Sequence, residues 1–146
     1  MIALIQRVSQ ARVEIQDQTV AEIGRGILAL IAIEKSDTQI DLERLTERLI
    51  GYRIFPDQDG KMNLGLKEIR GELLLVPQFT LAADTRKGNR PSFSSAAPPD
   101  LSRALFEQFV EIACAKYPKT ACGIFAQDMQ VSLTNDGPVT FWLGNR

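Results

Sequence analysis

Histidine is missing from the sequence altogether. Its absence removes, in one stroke, the commonest general base near neutral pH and the commonest metal ligand. Cysteine is almost as scarce. Cys114 and Cys122 form no CxxC pair, which argues against a disulfide framework and against a zinc site of ordinary design. Neither a metal nor a cofactor is expected. Long apolar runs are also lacking: the longest covers residues 27–33, far short of the roughly 20 residues that cross a bilayer. The apolar opening Met1-Ile2-Ala3-Leu4-Ile5 has no basic leader and runs straight into Gln6 and Arg7, so it is read as a first strand and not as a signal peptide. A cytoplasmic protein with no membrane contact is expected. Nor is there an excess of charge of either sign. Seventeen Lys and Arg against 18 Asp and Glu leave a net charge of −1, without the basic footprint of a protein that wraps a duplex. Any contact with nucleic acid must be local.

What is present suits one domain over residues 1–146: 45% hydrophobic and 24% charged residues are ordinary globular usage. Residues 1–16 alternate imperfectly and predict a long, bent strand. Residues 19–23 and 27–33 predict two more around Gly24-Arg25-Gly26, the second apolar enough to be buried on both faces. Ser36-Asp37-Thr38 precedes Ile40, Leu42, Leu45, Leu49 and Tyr52 at helical spacing, which predicts an amphipathic helix over 38–52. A short strand at 53–55, a buried strand at 72–81 and a long loop at 82–100 follow. Asp100 is expected to cap a second helix with the stripe Leu101, Leu105, Phe109, Ile112 and Ala113, ending near Tyr117-Pro118. Residues 123–126, 129–133 and 139–143 predict the last strands, with Asn135-Asp136-Gly137-Pro138 as a connection. The fold class is α+β, with a curved, barrel-like, mainly antiparallel sheet and two principal helices outside it.

Without histidine or a metal, a hydrolase here must work with carboxylates, hydroxyls, backbone amides or groups brought by its substrate. Asp84, Asp128 and Asp136 fall at turns, where acidic residues ordinarily act as solvated caps. Gln78, Phe79 and Thr80 end a buried strand before the long loop, a weak signal by itself. Arg86-Lys87-Gly88-Asn89-Arg90 sets three cations around a glycine and suits one or two phosphates, or a merely solvated loop. Phe125 and Trp142 are read as core before base-stacking platforms. Residue types and spacing therefore stop at an α+β domain.

Two stretches go further. Gln78-Phe79-Thr80-Leu81 and Asn135-Asp136-Gly137-Pro138-Val139-Thr140 resemble the two signature motifs of the D-aminoacyl-tRNA deacylases. The similarity extends through the opening strand, Ala82-Ala83-Asp84-Thr85, Arg90-Pro91-Ser92-Phe93-Ser94 and Asp128-Met129-Gln130-Val131-Ser132-Leu133. The resemblance implies a homodimeric esterase that acts at the aminoacyl-tRNA 3′ end, on D-aminoacyl or misplaced glycyl esters, with its active sites at the subunit interface. It implies that Gln78, Phe79 and Thr80 line the catalytic pocket. It also implies that Gly137 and Pro138 form a Gly-cisPro chiral filter inserted into the partner, with Arg7 and Met129 holding it. One position departs from the family pattern, since Pro77 stands where the motif usually begins with Ser.

The implied chemistry agrees with the missing groups. An aminoacyl ester is already activated and carries a vicinal ribose 2′-OH, so backbone amides of Phe79 and Thr80 aimed at the oxyanion would suffice. The competing route, Thr80 as a covalent nucleophile, needs a base that the sequence does not offer. Arg86, Lys87 and Arg90 would take tRNA phosphates. The alternative class is a non-catalytic nucleic-acid-binding relative with the same fold, against which both intact motifs argue.

Overall fold

The computed structural model describes residues 1–144. Its organising element is β1 (Ile2–Ile15), long enough to serve three partners. Its first half pairs antiparallel with β3 (Gly26–Ala32) and its second half with β2 (Gln18–Ile23). Along its other edge it pairs antiparallel with β8 (Gln130–Gly144). β3 then pairs with β6 (Glu72–Pro77), and β6 with β7 (Thr120–Cys122), both in parallel. Parallel neighbours need a crossover. The first contains α1 (Gln39–Gly51), the ribbon of β4 (Phe55–Pro56) and β5 (Met62–Leu64), and the short α2 (Leu66–Ile69); the second contains α3 (Pro99–Lys116). The result is the α+β class expected, with a mixed, nearly closed, barrel-like sheet and two main helices.

Period-two alternation explains why β3 and β6 read as unbroken apolar runs. Ile27, Ala29, Ile31, Leu73 and Leu75 face the helices and join Leu42, Leu49, Phe106 and Phe109 in the main core. Leu28, Leu74 and Val76 point the other way, into a second cluster with Val8, Val13 and Ile23. Both faces are covered, as parallel strands require. Glycine matters at the start of β3, where a Cβ on Gly26 would lie 1.8 Å from the Glu72 carbonyl oxygen. Full burial of Leu49 or Phe109 contributes about 1.5–3 kcal/mol each.

The helices sit where the periodicity placed them, with adjusted faces. Thr38 caps α1, its N–H and hydroxyl each donating to the Asp41 carboxylate at 2.8 Å; those bonds hold the Asp41 carboxyl below its usual range. Ile40, expected in the stripe, is exposed instead. Asp100 does not cap α3. Pro98 holds that position and Pro99 is the first helical residue, a place where proline's missing N–H costs nothing. The buried stripe is Ser102, Phe106, Phe109 and Ala113, which turns Leu101 to solvent.

The C-terminal third departs most from expectation. Residues 123–126 are not a strand; β7 comes earlier, at Thr120–Cys122. The two strands expected at 129–133 and 139–143 are one, β8, and the expected connection at 135–138 is a bulge within it.

Candidate active site

β6 stops at Pro77 because the chain turns there. The Gln78 N–H donates to the Ile31 carbonyl at 2.7 Å, and Phe79–Ala82 then form a single 3₁₀ turn. The Leu81 N–H closes that turn on the Gln78 carbonyl at 3.2 Å. The Phe79 and Thr80 amides precede this first bond, so they have no acceptor within the turn. Both residues are exposed. The Gln78 side-chain amide donates to the Thr80 hydroxyl oxygen, so what faces that hydroxyl is an amide and not a base.

Pro77 fits without loss. N–H groups of β6 alternate between its neighbours, with Gln78 donating to β3 and Leu73 to the Lys119 carbonyl on the β7 side. The nitrogen of Pro77 therefore faces β7, which has ended at Cys122, and no ladder bond is forfeited.

A cavity of about 480 Å³ opens beside this turn, lined on one side by Val76, Pro77, Gln78 and Phe79 and on the other by Phe125, Asp128 and Met129. Met129 fixes the second wall. Its sulfur accepts the Ile124 N–H at 3.4 Å and lies over Gly123, where a Cβ would come within 2.8 Å of it. The half-exposed ring of Phe79, a lining residue, meets that of Phe93 with centroids 5.2 Å apart. Gln78, Phe79 and Met129, far apart in sequence, thus share one cavity. Phe125 packs against the main core as expected. Trp142 does not: it is 55% exposed.

The second motif stands elsewhere in the chain. Val8 pairs with Asn135 and Gln6 with Thr140, so Arg7 alone faces the four residues between. Those four bulge from the ladder, and Arg7 fills the gap. Its Nε donates to the Asp136 carbonyl at 2.7 Å and its Nη1 to the Ile54 carbonyl at 2.8 Å. Gly137 and Pro138 ride on the bulge, exposed and joined by a cis peptide bond. Neither lines the cavity of its own chain. Leu133, Phe141 and Trp142 on the same strand are exposed as well.

The basic loop lies on a small excursion closed by mutual Asp84–Ser92 backbone bonds of 2.7 and 3.0 Å. Arg86 grips Asp84 with a two-pronged fork, 2.9 and 2.7 Å, which drives the Asp84 carboxyl far below its usual range and raises Arg86. Lys87 and Arg90 are exposed and have no ion-pair partner among the described residues. The residues that sequence reasoning passed over are Asn135, Gly123, Phe93 and the Ile54 carbonyl. Asn135 and Phe93 had a signal, as members of stretches that carry the resemblance.

Fold and site define a small α+β protein with a cavity beside an exposed 3₁₀ turn. The family model for D-Tyr-tRNA(Tyr) deacylase matches residues 4–144. A D-aminoacyl-tRNA deacylase of Pasteurella multocida (strain Pm70) is 57% identical over 98% of this chain and 99% of its own length. One of Thioalkalivibrio sulfidiphilus (strain HL-EbGR7) is 58% identical over 98% and 96%. Among solved structures, the c-Myc DNA unwinding element binding protein superposes with a TM-score of 0.95 at 36% identity, covering 100% of this chain and 99% of that one. A probable eukaryotic D-amino acid tRNA deacylase shares the fold, with a TM-score of 0.85 at 18% identity over 97% of both chains. The chain belongs to the D-aminoacyl-tRNA deacylase family of ester hydrolases.

Proposed function

We propose that this chain hydrolyses the ester joining a D-amino acid, or misplaced glycine, to the 3′ end of tRNA, as a homodimer in which each subunit completes the other's site. The observation that carries this is the separation of the two motifs: the cavity holds Gln78, Phe79 and Met129, while Gly137 and Pro138 stand exposed on a different surface. A second copy would bring them together. The exposed Leu133, Phe141 and Trp142 around the bulge supply apolar area for such a contact.

In this reading the Phe79 and Thr80 amides receive the developing oxyanion, each contributing on the order of 3 kcal/mol by analogy with other oxyanion holes. The vicinal ribose 2′-OH positions or activates the attacking water. Thr80 is not the nucleophile, because the group on its hydroxyl is the Gln78 amide. Gly137 and Pro138 present rigid backbone to the amino acid's α-carbon, rejecting an L side chain and admitting a D one. A purely steric filter has no means of excluding glycine. Lys87 and Arg90 contact phosphates near the acceptor end, and Arg86 contributes less, being committed to Asp84.

A second reading, nucleic-acid binding without chemistry, draws support from the likeness to the c-Myc DNA unwinding element binding protein. Net charge of −1 weighs against duplex binding. A structure with a non-hydrolysable 3′-D-aminoacylamino adenosine tests the proposal. The carbonyl oxygen is expected within about 3 Å of the Phe79 and Thr80 nitrogens, with the partner subunit's Pro138 beside the α-carbon. Absence of binding, alongside tight duplex DNA binding, would favour the second reading.

A further inference from the structure

The bulge that carries Gly137 and Pro138 is held at its base by one side chain. The Asn135 Oδ1 accepts the Val139 N–H at 2.7 Å. Its Nδ2 donates to the Val139 carbonyl at 3.3 Å and to the Thr140 hydroxyl at 3.0 Å. These bonds span the four residues that have left the ladder between the Val8–Asn135 and Gln6–Thr140 pairs. Val139 is buried while Asp136, Gly137 and Pro138 are exposed, so the Asn135 amide joins the buried foot of the bulge to its start. A side-chain amide here does what a backbone partner does in a regular ladder: it satisfies the Val139 N–H and carbonyl and fixes the width of the loop.

We infer that Asn135 is a positioning residue for substrate chirality: by closing the bulge on Val139 and Thr140, it sets how far and at what angle Gly137 and Pro138 project, and thereby the discrimination between D- and L-aminoacyl esters. This rests on the filter reading given above. Asn135 itself touches no substrate. Arg7 braces the other flank of the loop through Asp136. Asn135, on one side of the dipeptide, bonds across it to residues 139 and 140 on the other. A loop freed at this end swings, and a loose filter admits L side chains.

The test is single-turnover hydrolysis of D- and L-tyrosyl-tRNA, with melting temperatures, for Asn135→Ala, Asn135→Asp, Thr140→Val and Pro138→Ala. Asn135→Ala is expected to lower the D/L rate ratio about 10-fold, as befits a buried donor left without its acceptor. Asn135→Asp keeps the acceptor for Val139 and loses the donors, so its ratio should fall between those of Asn135→Ala and the wild type. Thr140→Val removes a single partner and should lower the ratio least; it remains readable if Asn135→Ala does not fold. A merely structural role would lower both rates together and leave the ratio intact, which would overturn the proposal. If Pro138→Ala lowers the ratio while all changes at 135 and 140 preserve it, the Asn135 assignment fails alone. If Pro138→Ala also preserves it, the filter reading fails and takes this inference with it.

Discussion

Arg7 and Asp136 lie at opposite ends of the chain and meet twice: the Arg7 Nε donates to the Asp136 carbonyl at 2.7 Å, and it lies 3.7 Å from the Asp136 carboxylate. The guanidinium is mostly buried, and its other arm holds the Ile54 carbonyl at 2.8 Å. A planar fork can bridge two carbonyls that point from different elements; a lysine ammonium on a flexible stem cannot hold both in one geometry. Arg7→Lys is therefore expected to lower kcat/KM for D-tyrosyl-tRNA about 10-fold, and Arg7→Ala about 100-fold, in line with losing charged hydrogen bonds. Unchanged kinetics in both variants would show that the bulge needs no support from β1.

Gly137 leaves no room for a side chain on the bulge. Its φ of 156° lies where L-residues rarely go, and a Cβ would meet the Val139 Cγ2 at 2.5 Å and its nitrogen at 2.7 Å. Gly137→Ala should cost on the order of 1–3 kcal/mol, lowering the melting temperature by roughly 2–12 °C, and should abolish D-selectivity. A variant with wild-type melting and wild-type selectivity would contradict the geometry.

Thr80→Ala removes a hydroxyl and leaves the Thr80 N–H in place. If the amides hold the oxyanion, single-turnover rates should stay within about 10-fold of wild type. Near-complete loss, or an acyl group trapped on Thr80 during turnover, would establish the nucleophile route.

How much of this was legible beforehand depended on range. The α1 stripe of Leu42, Leu45 and Leu49 and the double-faced burial of residues 27–31 follow from local periodicity, and they stand. The parallel pairings of β3 with β6 and of β6 with β7 do not, because a strand's partner across an intervening helix leaves no mark on its own alternation. The same limit split β8 into two expected strands: Asp136-Gly137-Pro138 reads as a turn, while Arg7 from across the ladder and Asn135 from within the strand brace the chain around it. Trp142 looked like core because an apolar aromatic in a strand usually is; its exposure has no local sequence signal. The site itself was faint in residue chemistry, since Gln78-Phe79-Thr80 contains no base or metal ligand, and it became visible through the resemblance of two motifs. That the two motifs occupy separate surfaces of one chain left no mark in residue types or spacing, and was expected only through the resemblance, which places Gly137 and Pro138 in the partner's site.

The basic loop gives a graded prediction. Arg86 is tied to Asp84, whereas Lys87 and Arg90 have no ion-pair partner among the described residues. Lys87→Ala and Arg90→Ala should each weaken tRNA binding and reduce the slope of log K against log salt by about 1, with Arg86→Ala reducing it less. The pH dependence follows from the lowered Asp84 carboxyl. A depressed folded-state value means that the fork's contribution is present above the unfolded value of about 3.9 and is lost only as pH falls through the lowered one. Loop-dependent affinity should therefore be flat between about pH 5 and 8. An Arg86→Ala slope change equal to the other two, measured by filter binding at several salt concentrations, would show the fork opening on tRNA.

The central claim, a deacylase made D-selective by backbone that each subunit lends its partner, is tested most directly by comparing the wild-type protein's hydrolysis of D- and L-tyrosyl-tRNA in one assay. The account predicts hydrolysis of the D-ester more than about 100-fold faster than the L-ester, a ratio within reach of steric discrimination combined with mispositioning at the oxyanion amides. Equal rates on the two esters, or no hydrolysis of either, would contradict it.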